Sequence, residues 1–102
     1  MKYPKSIMTD DMNHCYLCGS MRNIQIHHIY GGYANRKLST KYGLVVPLCY
    51  DCHLGTHGVH FDSKKMRYLR ILGQERFEEA YPSLSFSKIF GYNFIIKEDT
   101  TE

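Results

Sequence analysis

The stretch CYDCHLGTHGVHF, Cys49 to Phe61, sets two cysteines and three histidines within twelve residues. Thiolate and imidazole are the side chains that bind zinc and its neighbours most readily. The chemistry to examine is therefore metal ligation, with one metal, two metals or merely a polar helix as the readings. Two further cysteines, Cys15 and Cys18, complete a pair of C-x-x-C motifs separated by thirty residues. Each C-x-x-C turn offers two sulfurs to a tetrahedral zinc at about 2.3 Å. A thioredoxin-like redox motif would use one pair and leave the other unexplained. Disulfides need an oxidising compartment, and the N-terminus MKYPKSIMTDDMNH lacks the apolar run of a secretory signal. A structural zinc on Cys15, Cys18, Cys49 and Cys52 is the expectation.

Four cysteines fill that tetrahedron, so the histidines require another account. His53, His57 and His60 are spaced to share one stripe of a helix, although Gly58 is a good terminator. The run His53-Leu54-Gly55-Thr56-His57 has the spacing of the zinc-protease motif but carries Leu54 where the glutamate base belongs. A protease of that type is therefore not expected. His27 and His28 are adjacent, and neighbours on a regular strand face opposite ways. Both reach one site only where the strand twists or breaks, and Gly31-Gly32 favour that. His14, beside Cys15, reads as a surface residue.

The elements that must position these residues follow from pattern. At 102 residues the chain is expected to be a small α+β unit, divided into an N-terminal arm (1–13), a metal-bearing domain (14–61) and a C-terminal helical extension packed on it (62–102). Gly19 closes a knuckle after the first pair. Ile24 to Tyr30 alternates as a strand, a polar loop GGYANRKLSTKYG follows, and Leu44-Val45-Val46 forms a second strand stopped or placed at an edge by Pro47. A helix opens at the second pair. A knuckle, a hairpin and a helix make a treble clef. After Asp62 or Ser63 as N-cap, residues 64–80 read as a helix stopped by Pro82. A short helix, LSFSKIF, follows, and the tail KEDTTE reads as loose.

The combination CYLC…IHHIY…GLVVPLCYDCH resembles the HNH endonucleases, whose ββα-metal (His-Me finger) core is often built on a four-cysteine treble clef. The resemblance spans Cys15 to His60, and the short chain with a trailing helix looks like phage or prophage members. It implies a metal-dependent endonuclease that hydrolyses DNA. His28 matches the general base, and His27 and His53 match ligands of a catalytic metal. His57 or His60 competes to complete that set. The family's middle asparagine is replaced here by Gly43 before Leu44, and Asn35, in the loop, is the candidate substitute for positioning.

The chemistry of the residues agrees with these roles. A neutral imidazole suits proton transfer from water, and one divalent metal (Mg²⁺, Mn²⁺, Ni²⁺, Co²⁺ or Zn²⁺) suits a site with histidines and few acids. Asp51 could orient a ligand histidine. Residues 1–61 hold six Lys/Arg against three acids, whereas residues 62–102 hold seven of each. The excess is compatible with a polyanionic partner at the cysteine- and histidine-bearing half without establishing one. Arg22, Arg36, Lys37 and Lys41 are the expected phosphate contacts, which position DNA without reading its sequence. The neutral C-terminal helix suits packing or a protein partner. No apolar run approaches the ~20 residues of a membrane span, and a cytoplasmic location is expected. The competing reading is a non-catalytic treble-clef module that binds nucleic acid or protein.

Overall fold

The computed structural model describes residues 5–95, so the expected loose tail at 97–102 and the first residues of the arm lie outside the described part. Two strands, β1 (Ile24–His28) and β2 (Val45–Cys49), pair antiparallel, with Ile24 opposite Cys49 and His28 opposite Val45. Pro47 sits within β2, opposite Ile26, rather than ending it. A two-stranded sheet has only edge strands, so a residue without an N–H is tolerated there. The Pro47 carbonyl accepts from the Tyr16 N–H at 2.7 Å, which ties the first cysteine knuckle to β2.

The segment expected as a polar loop is a helix, α1 (Tyr33–Tyr42). Its inner side holds Leu38, Ser39 and Tyr42, spaced to lie together on one face. Ser39 is fully buried, donating to the Tyr30 carbonyl at 3.0 Å and accepting from the Tyr30 N–H at 3.1 Å. Gly43 ends the helix with φ 75°, a left-handed conformation suited to glycine. The described part of the arm is anchored beside it. The Ile7 N–H donates to the Gly43 carbonyl, Ser6 Oγ donates to the Val45 carbonyl, and Met8 is buried.

After β2, α2 (Tyr50–His53) is a single turn. The long helix α3 (Ser63–Ala80) follows, capped by Asp62, whose side chain accepts from the Lys64 and Lys65 N–H groups. It stops just before Pro82, and α4 (Phe86–Phe90) is capped by Ser85. Leu69, Gly73 and Phe77 form the buried stripe of α3. Phe77, Phe86 and Phe90 gather with Tyr30 and Tyr42 into an aromatic core continuous with Ile29, Leu44, Val46 and Leu48. The C-terminal helices therefore share one core with the strands.

Gly73 gives that packing a test. A Cβ there would stand 2.7 Å from Tyr30 Oη and 3.3 Å from an Ile29 methyl. Tyr30 cannot simply retreat, because it is buried and its hydroxyl donates to the Arg70 carbonyl. Alanine gains about 1 kcal/mol in helix propensity, but overpacking costs about 1–3 kcal/mol. Gly73→Ala should therefore lower stability by about 1 kcal/mol in urea denaturation, whereas an unchanged or higher midpoint would mean that Tyr30 yields freely.

Candidate functional site

Two clusters of ligating side chains lie on the sheet and its flanks. The first is Cys15, Cys18, Cys49 and Cys52, whose sulfurs lie within 4.8 Å of one another and form no disulfide. Cys18 and Cys49 sulfurs are 3.6 Å apart. Tetrahedral zinc–sulfur bonds of ~2.3 Å separate sulfurs by about 3.8 Å. The electrostatics fit a cation as well. Burial opposes ionisation of Cys15, but backbone N–H groups at Cys49, Cys18 and Leu17 outweigh it and bring its thiol to about 6. Burial, followed by contact with the other three sulfurs, drives the Cys52 thiol strongly upward. Four thiolates this close repel one another unless a cation lies among them, and the cluster could hold a structural metal such as zinc.

The second cluster is His27, His53 and His60, whose ligand nitrogens also lie within 4.8 Å of one another. His27 comes from β1, His53 from the end of α2, and His60 from the turn before α3. His57 does not join them. It is exposed, and its carbonyl accepts from Lys65 Nζ. The helical spacing fails because α2 ends at His53 and the chain doubles back. A Cβ on Gly55 or Gly58 would come within 2.7 or 2.8 Å of the Asp51 carbonyl oxygen. That close return, sealed by the Val59 N–H donating to the Cys52 carbonyl, brings His60 rather than His57 beside His53.

The protonation pattern of this cluster suits a metal. His27 is 2% exposed and its Nε2 is buried without a hydrogen-bond partner. Such an orphaned nitrogen ordinarily costs about 1–3 kcal/mol and calls for an electrophile. Burial, then the charges of His53, His60, His28 and Arg70, lowers its pKa to about 3, so the ring is neutral near pH 7 and its lone pair is free. His53 Nδ1 is 2.7 Å from Gln25 Oε1. An amide oxygen only accepts, so the proton sits on Nδ1 and leaves Nε2 bare. That bare Nε2 is 3.2 Å from His60 Nε2. Gln25, not Asp51, orients His53, since Asp51 is exposed at the first turn of α2.

His28 turns to another neighbour. Its Nε2 is 3.0 Å from Thr40 Oγ1 on α1. The Thr40 hydroxyl donates back to the Arg36 carbonyl at 3.3 Å, so it accepts from His28 Nε2–H. Nδ1 of His28 is then the basic nitrogen. Burial, then Arg36, lowers the His28 pKa and favours this neutral form. Despite the diverging side chains, His27 and His28 line one cleft of about 310 Å³ with His53, His60, Gly32 and Arg36. Asn35 lies in α1 rather than in a loop, and Thr40, not Asn35, contacts the candidate base.

The cationic candidates divide. Arg36 lines the cleft, and Lys37 lines an adjoining one, while Arg22 and Lys41 are exposed outside both. His14 pairs with Asp11 at 2.7 Å on the surface. Among the described residues no helix is long and apolar enough to cross a membrane. Comparison with known protein families, with curated proteins and with solved structures finds no match to this chain.

Proposed function

We propose that this protein is a metal-dependent endonuclease of the HNH type, hydrolysing DNA phosphodiester bonds at a single catalytic divalent metal. The observation that carries the reading is the convergence of His27, His53 and His60, one with an orphaned buried nitrogen, beside a separately held neutral His28 in the same cleft. A zinc-stapled treble clef fits the placement of Cys15 and Cys18 before the strands and of Cys49 and Cys52 at the end of β2 and in α2. A binding module needs only the cysteines.

His27, His53 and His60 would hold the metal, which when bound supplies a Lewis acid for the phosphoryl and departing 3′ oxygens. The rest falls to the chain. His28 Nδ1 removes the proton of the attacking water, and Thr40 keeps the imidazole in the tautomer that can do so. Gln25 holds His53 with its Nε2 toward the cluster, as outer partners of metal ligands do. Arg36, at the cleft wall, offers a fixed positive charge to the phosphate.

The test is a supercoiled-plasmid nicking assay on the zinc-loaded chain with Mg²⁺, Mn²⁺, Ni²⁺, Co²⁺ or added Zn²⁺. Nicking with at least one metal is expected; none with any would leave the non-catalytic module as the reading. Thr40→Val should lower kcat about tenfold, within the range for lost outer partners, with KM for DNA unchanged because Thr40 acts on His28. Thr40→Ser should restore the rate, and a KM effect alone would assign Thr40 to DNA contact instead.

A further inference from the structure

The cleft over the histidines shares His28, Gly32 and Arg36 with a second cleft of about 570 Å³, whose remaining walls are Tyr33, Lys37 and Thr40. Among the described residues neither is lined by an acid, and α1, YANRKLSTKY, carries Arg36, Lys37 and Lys41 with no acid at all. Tyr33 stands at the start of this helix with 83% of its surface exposed, so it serves no core. Lys37 holds it from one side. Its Nζ lies 4.5 Å over the ring and donates to the hydroxyl at 3.2 Å. An added Cβ at Gly31 or Gly32 would meet nothing within 4 Å, so the approach past them is open.

We propose that this second cleft is a binding site for single-stranded DNA, with Tyr33 stacking one unpaired base while Arg36 and Lys37 hold the adjoining phosphates. The inference rests on the nuclease reading and names its substrate class. A cationic groove with an exposed aromatic platform is the arrangement that retains single strands. Duplex DNA offers its phosphates to such a groove but keeps its base faces covered by neighbouring pairs, so Tyr33 would gain nothing from it. A strand lying on α1 would bring its backbone to the walls that this cleft shares with the histidines.

The test is fluorescence anisotropy of labelled oligothymidine and of a duplex of equal length, titrated with the zinc-loaded full chain without added catalytic metal. The single strand should bind about tenfold tighter than the duplex. Tyr33→Ala should remove that preference by weakening single-strand binding about tenfold, and Tyr33→Phe should keep it. Equal affinity for the two forms, or unchanged single-strand affinity in Tyr33→Ala, would reduce Tyr33 and Lys37 to an ordinary helix-surface pair and overturn the inference. Zinc content and circular dichroism check that the variants are folded, as expected for so exposed a side chain. The two readings fail separately. Absence of cleavage of both the plasmid and the labelled oligothymidine with every metal refutes the nuclease whatever the strand preference, whereas cleavage without a Tyr33-dependent preference refutes only the single-strand site.

Discussion

Cys49→Ala should abolish tight zinc binding and unfold the chain, the largest stability change of any single substitution. Cys49 is the last residue of β2, the residue before α2, and buried against Cys18. Zinc in such sites contributes about 10–16 kcal/mol near pH 7, comparable to the ~5–15 kcal/mol that holds a whole domain folded. A two-stranded sheet is marginal by itself. Here the end where Ile24 faces Cys49 depends on the cysteines, and the first knuckle is fastened to β2 through Tyr16 and Pro47. Because the aromatic residues of α3 and α4 share the core with β2, loss of the zinc should release the helices too. Far-ultraviolet circular dichroism and zinc analysis read the outcome. A variant with wild-type melting and zinc content would show that the sulfurs do not form the staple. His53→Ala is the control, expected to keep zinc and fold, since its nitrogen belongs to the other cluster.

The cysteine site was legible because C-x-x-C is a local signal and the first strand between the pairs begins with alternation, followed by the apolar run of β2. The third histidine was not. Helical arithmetic left His57 and His60 in competition, and the decision rests on Gly55 and Gly58, whose missing side chains allow the backbone to fold onto Asp51 and Cys52. Helix α1 was hidden for a different reason. Its inward side, Asn35, Leu38, Ser39 and Tyr42, mixes polar and apolar residues, so its apolar pattern is weak, and Gly43 as a left-handed stop was the clearer mark. Once α1 is a helix, Thr40 comes within reach of His28, and Asn35 loses the loop that gave it a role. Gln25 had a readable cue. It lies two residues before His27 on β1, and alternation puts both on one face, from which Gln25 meets His53.

His28→Ala should lower the rate of metal-dependent nicking by about 10²–10⁴-fold, the usual contribution of a general base, while leaving zinc, fold and second-metal binding intact. The reason is the division of the histidines. His27, His53 and His60 turn their nitrogens to one another, and His28 points instead to Thr40, outside that cluster. His53→Ala should give a similar loss of activity by a different route, with second-metal binding abolished in titration. The pH profile of the wild type separates the base further. His28 acts as the neutral imidazole, and burial, then Arg36, holds its pKa below the ordinary 6.5. The rate should therefore be lost as pH falls through a value below 6.5 and be level above it. Arg36→Gln removes a positive charge that disfavours the imidazolium, so the inflection should move upward, toward 6.5. An inflection that stays fixed in Arg36→Gln, or His28→Ala with wild-type rates, would transfer the proton-accepting role to another group.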